Sequence, residues 1–204
     1  LYYAKRVRVI AGTYRSRPLV APPGTATRPT SDRLRETLFN VLALRIAGTR
    51  FADLYAGTGA VGIEAISRGA EHVFFAETNA KALTAIRANL KSLEIRAGYT
   101  LEPAGTATLL KRIVKQGNVL DVVFLDPPYD EAEEYTRTLS TLGSEGFAAS
   151  LAEDVLVLAE HTRKQPLSDR YGRLARTRTL LQGDAALSFY SIAEPVVELP
   201  ALVD

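Results

Sequence analysis

The sequence predicts an α/β fold. A doubly wound, mostly parallel sheet ends in an antiparallel strand pair, with a basic β-hairpin ahead of it. Three observations carry this expectation. From residue 50 onward, short apolar runs alternate with stretches of helical period. Runs such as Val122-Val123-Phe124-Leu125 are almost continuously apolar, as strands covered on both faces must be. Near the end, residues 173–181 and 185–192 flank Gly183-Asp184, a two-residue turn that folds one strand back on the other.

Taken in order, residues 6–21 read as a hairpin. Val7, Val9 and Ala11 alternate with Arg6, Arg8 and Ile10, Gly12 marks a turn or bulge, and Pro18-Leu19-Val20 returns. Residues 22–29 form a proline-stiffened linker, from which the hairpin is expected to project as an arm. Thr30 or Ser31 caps a helix with Asp32 in its first turn, and Leu34, Leu38, Val41 and Leu42 make its apolar stripe. Strands are expected at 51–55, 72–77, 98–102, 120–125 and 154–160. Helices are expected at 60–68, 79–92, 104–116 and 131–142. This divides the chain into a basic hairpin and linker (1–29), a main domain (30–194) and a tail (195–204).

At 204 residues and 47% apolar content the chain can bury a full core. It has no cysteine, so disulfides and thiolate metal sites are excluded. No apolar run approaches the ~20 residues that span a bilayer, and the first residues lack the apolar stretch of a signal peptide. A cytoplasmic monomer with no membrane contact is the expectation. His72 and His161 stand alone, which argues for packing or surface roles and against a metal. The net charge of +2 is unevenly placed. Residues 1–35 hold Lys5, Arg6, Arg8, Arg15, Arg17, Arg28, Arg33 and Arg35 against Asp32 alone, which suggests a polyanionic partner.

Two motifs carry chemistry. In the first, Asp53-Leu54-Tyr55-Ala56-Gly57-Thr58-Gly59-Ala60-Val61-Gly62 places glycines between a strand and a helix, where they permit positive φ and close approach of a ligand. Glu77 closes the next apolar run, at the distance of an acid that takes ribose hydroxyls. Literally this is a dinucleotide fingerprint. Asp53, however, would repel a pyrophosphate at the helix N-terminus, whereas its charge suits a ligand bearing an ammonium group. That favours S-adenosylmethionine over a nicotinamide cofactor. Tyr55 either covers the cofactor or fills the core. Glu64 is expected to be solvated or paired with a nearby Arg.

The second motif is Asp126-Pro127-Pro128-Tyr129, at the end of an apolar strand. The prolines remove two N–H groups and leave carbonyls as acceptors, beside a carboxylate and a ring. Two acceptors beside a stacking surface suit a planar amino group such as the exocyclic NH₂ of a nucleobase. The alternative is a stiffened strand-to-helix turn with a surface Tyr. Asp53 to Gly59, Glu77 and Asp126 to Tyr129 all fall at the C-terminal ends of expected parallel strands, where such sheets bind ligands.

With these motifs, the sequence resembles the bacterial methyltransferases that modify N2 of a guanine in 16S ribosomal RNA. The resemblance rests on Arg28-Pro29-Thr30-Ser31-Asp32-Arg33-Leu34-Arg35-Glu36-Thr37-Leu38-Phe39-Asn40, on residues 53–65 with Ser67-Arg68-Gly69, and on Asp126 to Tyr129, and it extends from about residue 6 to 193. It implies a Rossmann-like S-adenosylmethionine methyltransferase sheet, with S-adenosylhomocysteine as product and no metal. Asp53, Tyr55, Gly57, Gly59, Glu77 and Gly105 would bind cofactor. Asp126, Pro127, Pro128 and Tyr129 would be catalytic, acting on a base flipped from its helix or loop. Arg15, Arg17, Arg28, Arg33 and Arg35 would dock the RNA backbone beside the site, within an assembled small ribosomal subunit. Two positions depart from the family pattern. Asn79 stands where Asp is common, and Ala104-Gly105 offers adenine only backbone groups. The competing expectations are an adenine-N6 methyltransferase with the same catalytic turn, and a non-catalytic ribosome-assembly factor that binds RNA.

Overall fold

The computed structural model describes residues 7–21, 32–128 and 132–193. The main sheet has eight strands: β1 (Arg50–Leu54), β2 (His72–Ala76), β3 (Tyr99–Glu102), β4 (Leu120–Leu125), β5 (Leu151–Thr162), β6 (Arg170–Tyr171), β7 (Leu174–Gln182) and β8 (Ala185–Ile192). Five helices join them: α1 (Asp32–Val41), α2 (Ala60–Ser67), α3 (Ala80–Ser92), α4 (Thr106–Lys115) and α5 (Ala132–Leu142). Strand order is β3-β2-β1-β4-β5-β8-β7-β6. The first five strands pair in parallel, and β8 enters antiparallel beside β5. This is the expected fold class. The last strand is inserted between β5 and β7, so the terminal hairpin closes inward. The sequence reading did not include the two-residue β6 or the 3-10 turn Glu145–Ser150 that precedes β5.

The unbroken apolar runs have a simple physical cause. Successive residues of a strand face opposite sides of the sheet, and here both sides are covered. Phe51, Val73, Phe75, Val122 and Phe124 meet α1, α2 and α3 on one face through Leu38, Phe39, Val61, Ile63 and Ile86. Ala52, Leu54, Phe74, Ala76, Val123 and Leu125 face α4 and α5, against Leu109, Ile113, Tyr135 and Leu139. Gly62 lets α2 sit close to the sheet: a Cβ there would lie 2.2 Å from a ring carbon of Phe75.

The hairpin does not stand off as an arm. Val7, Val9 and Leu19 are buried in the same core as Phe39 and Phe51. The backbone bonds of a short ladder hold it, Val9 N to Arg17 O at 2.9 Å and Leu19 N to Val7 O at 2.8 Å. Glu64, expected to be solvated or paired with an Arg, is fully buried and accepts the N–H groups of Ile10 (2.7 Å) and Ala11 (2.9 Å) together with Nε of Arg68 (2.7 Å). Backbone amides taken from water need partners, and one carboxylate on α2 supplies them to these two part-buried groups. The pairing of Glu64 with an Arg is as expected. The linker 22–29, the cap at Thr30 or Ser31 and the tail 195–204 lie outside the described residues.

Candidate active site

Strand order reverses between β1 and β4, and at such a switch point open α/β sheets bind ligands in the crevice outside the C-terminal strand ends. The expected site residues collect around it. Asp53 lies near the end of β1 and Glu77 just past β2, while Gly105 follows β3 and Asp126 follows β4. Because Leu54 pairs with Leu125, Tyr55 and Asp126 leave the sheet side by side.

Between β1 and α2 the chain turns with positive φ at Tyr55 (74°), Gly57 (55°) and Gly59 (75°). The two glycines occupy this region at no steric cost. Asp53 is 2% exposed, and its Oδ2 accepts the Gly62 N–H at 2.8 Å, so this carboxylate holds the first turn of α2. Burial pushes its pKa up to about 7. The Gly62 bond opposes that rise, and repulsion from Asp126 and Glu77 adds to it. Glu77 is bound still more firmly. Its Oε2 accepts Gly57 N–H at 2.8 Å, and its Oε1 accepts the N–H groups of Thr78 (2.8 Å) and Asn79 (2.7 Å). The acid meant for a ribose therefore also fixes the glycine turn from the neighbouring strand.

On the β4 side, Pro127 is buried and its carbonyl lies 3.5 Å from the Tyr135 hydroxyl. That hydroxyl donates more closely to the Glu160 carbonyl, at 2.7 Å, and with two lone pairs the Pro127 oxygen keeps acceptor capacity. Tyr135 backs the Asp126-Pro127 turn from α5. Its only signal in the sequence is an aromatic residue on the buried stripe of a helix, and it is not among the expected site residues. Tyr129 lies outside the described residues.

Tyr55 is half-buried. Its backbone belongs to the glycine turn, but its hydroxyl bonds to Glu134 (2.9 Å) and Thr138 (2.7 Å) of α5. Burial, with the Glu134 carboxylate adding to it, raises its pKa to about 12. Asn79 caps α3, its side-chain oxygen accepting from the N–H groups of Lys81 and Ala82. Asn serves as well as Asp in that role, which accounts for the departure at this position. Gly105 begins α4 with φ 87°, and a Cβ there would meet Thr78 Cγ2 at 2.9 Å. Glycine is thus what brings the loops after β2 and β3 together. His72 Nε2 bonds Thr100 at 2.9 Å, while buried His161 bonds Ser188 at 2.9 Å and lies edge-on to the Tyr135 ring, with centroids 6.4 Å apart.

The arginines do not form one cluster beside the site. Arg15, Arg17 and Arg33 are exposed. The hairpin tip is pinned to the last residue of α2, through Thr13 N to Ser67 O (2.8 Å) and Tyr14 N to Ser67 Oγ (3.0 Å). The glycine turn caps the opposite end of that eight-residue helix, about 12 Å away at 1.5 Å per residue. Arg17 also reaches the Ser92 carbonyl at 2.9 Å. Arg15 and Arg17 therefore sit away from the crevice. Arg35 is a correction of a different kind: it is fully buried and donates to the Arg8 carbonyl at 2.6 Å, so it ties α1 to the hairpin and offers nothing to an RNA backbone. Arg28 lies outside the described residues.

The crevice suits a compact cationic ligand. Beyond Gly57 there is open space, since a Cβ there meets nothing within 4 Å. Asp126 and Glu77 both repel the Asp53 carboxylate, and a cation beside it relieves that repulsion. Fold and crevice together define the class as the α/β methyltransferase sheet. The chain belongs to the family described as "Conserved hypothetical protein 95", whose profile matches residues 7–191. It is 37% identical over 184 residues to the Bacillus subtilis protein named "Putative rRNA methyltransferase YlbH", covering 90% of this chain and 98% of that one. It is 31% identical over 185 residues to "Ribosomal RNA small subunit methyltransferase D" of Escherichia coli K12, covering 91% and 89%. Among solved structures, the Escherichia coli protein titled "Putative methyltransferase yhhF" superposes with a TM-score of 0.78 at 28% identity, over 92% of this chain and 98% of that chain.

Proposed function

We propose that this protein transfers a methyl group from S-adenosylmethionine to the exocyclic N2 of a guanine in 16S ribosomal RNA. The observation that carries this reading is the convergence of Asp53, Glu77 and the Asp126-Pro127-Pro128 turn on one crevice where the strand order reverses. The names of its relatives, one of them a small-subunit ribosomal RNA methyltransferase, support the RNA substrate.

S-adenosylmethionine supplies a methyl group carried on a sulfonium. Asp53, Tyr55, Gly57, Gly59, Glu77 and Gly105 would hold it. Of these, Asp53 and Glu77 contribute negative charge and the glycines contribute backbone access. The amine of guanine is a weak nucleophile because its lone pair is conjugated with the ring. Asp126 and the Pro127 carbonyl accept its two N–H bonds and so favour a pyramidal nitrogen. Tyr129 stacks on the flipped base. The acceleration comes from positioning and from placed acceptors, so no strong base is required. Exposed Arg15, Arg17 and Arg33, with Arg28, would grip phosphates at a distance from the base, as a large folded RNA within an assembled subunit permits.

The test incubates the protein with labelled S-adenosylmethionine and either naked 16S RNA or small subunits from a strain lacking the gene, followed by mass mapping of the product. N2-methylguanine at one position is expected. Label in N6-methyladenine, or no label in either substrate, ends this reading.

A further inference from the structure

On the face opposite the hairpin, α4 and α5 leave a groove of about 460 Å³ between them. Leu110 and Phe147 form its buried floor, and Val114 is exposed along its length. Lys111 and Lys115 on one rim and Arg137 on the other give it a basic edge, Arg137 being paired with Glu134. An apolar trough with basic rims fits an extended peptide that alternates aliphatic and acidic residues. The chain carries such a segment. Residues 194–204 read Glu194-Pro195-Val196-Val197-Glu198-Leu199-Pro200-Ala201-Leu202-Val203-Asp204. Five branched aliphatics are interleaved with three acids there, and the two prolines disfavour a helix.

The strand that precedes this segment ends beside the groove. Ala193 N–H donates to the Arg173 carbonyl at 2.9 Å, and Arg173 N–H donates to the Gly143 carbonyl at 2.8 Å. Gly143 immediately precedes Ser144, which lines the end of the groove. Eleven extended residues reach about 35 Å, against about 15 Å for the ten residues of α4. We propose that segment 194–204 lies along the α4–α5 groove of its own molecule, with Val and Leu side chains on Leu110, Val114 and Phe147, and acids against Lys111 and Lys115. The far end of the groove is formed by Glu134 and Thr138, the two groups that hold the Tyr55 hydroxyl. The docked segment thereby packs against the support of the glycine turn.

The chain has no cysteine, so a designed pair reports cleanly. Val114→Cys with Leu199→Cys is oxidised in the full-length protein, and Val20→Cys with Leu199→Cys serves as control, Val20 being exposed on the other face of the sheet. The groove pair is expected to close an intramolecular disulfide about tenfold faster than the control, because docking raises the effective concentration of the thiols. The rate should not depend on protein concentration. Adding Lys111→Glu and Lys115→Glu is expected to slow it severalfold, and adding Glu198→Lys to restore part of the loss. Equal rates for groove and control pairs overturn the proposal. A product that is a cross-linked dimer and forms faster at higher concentration also overturns it, in favour of the segment of a second copy.

Discussion

Asp53 shows how one side chain can serve stability and function against each other. Its pKa of about 7 lies well above the ordinary carboxylate value, chiefly because it is buried. The sign follows directly. The neutral form is favoured in the folded state, so its contribution to stability is complete below about pH 4 and is lost as pH rises through about 7. That loss is on the order of 4 kcal/mol. Asp53→Asn removes the titration, so the ligand-free variant should melt higher than the parent at pH 8 and much like it at pH 4. The same variant should bind S-adenosylmethionine more weakly, since a cation prefers the charged acid. In the parent, affinity should rise with pH through 7, and calorimetry below pH 7 in buffers of different ionisation enthalpy should register proton release. A variant no more stable than the parent at pH 8 would show that burial does not penalise the ionised Asp53 carboxylate. Asp126→Ala should lower turnover by about a hundredfold or more while leaving cofactor affinity close to the parent's. Tyr129→Phe should keep most of the activity that Tyr129→Ala loses, because stacking needs the ring.

Among the elements, α2 does the most. Its N-terminus is held by Asp53, its inner face admits Phe75 at Gly62, and its outer face receives the hairpin at Glu64 and Ser67. Glu64→Ala strands Arg68 and two part-buried amides, and should cost about 3 kcal/mol in denaturant melts with little change in cofactor affinity. Gly62→Ala forces a methyl group into the Phe75 ring and should cost about 1–3 kcal/mol. Pairing it with Phe75→Leu should recover part of that loss, a coupling that two independent sites would not show. Deleting residues 1–20 is a poor probe of RNA binding. It also uncovers the core surface beneath Val7, Val9 and Leu19.

Across the whole molecule, the cations relevant to RNA are spread rather than focused. Arg15 and Arg17 lie at the far end of α2, in the vicinity of Ser67 and Ser92. Arg15→Ala with Arg17→Ala should weaken RNA binding uniformly and lower the slope of log affinity against log salt by roughly 1–2. Affinity for S-adenosylmethionine should stay at the parent value. An unchanged slope would mean that these arginines only solvate the hairpin.

The sequence by itself determined the order of elements, the strand at which each acid ends and the turn chemistry of the glycines, because these depend on periodicity and local backbone preference. The apolar runs 120–125 and 72–76 read correctly as doubly covered strands for that reason. Glu77 and Asp126 were legible because each stands immediately after such a run. Only the tertiary structure decided which way long polar side chains point. Arg35 and Glu64 look like surface charges in sequence, yet both are buried, because Arg35 meets the Arg8 carbonyl and Glu64 meets the Ile10 and Ala11 amides across the chain. Whether the hairpin is an arm or part of the core was equally hidden. Alternation at Val7 and Val9 names a buried face but not what buries it, and the answer lies in α1 and α2, dozens of residues further on. Local patterns are set by neighbours in sequence, and burial is set by neighbours in space.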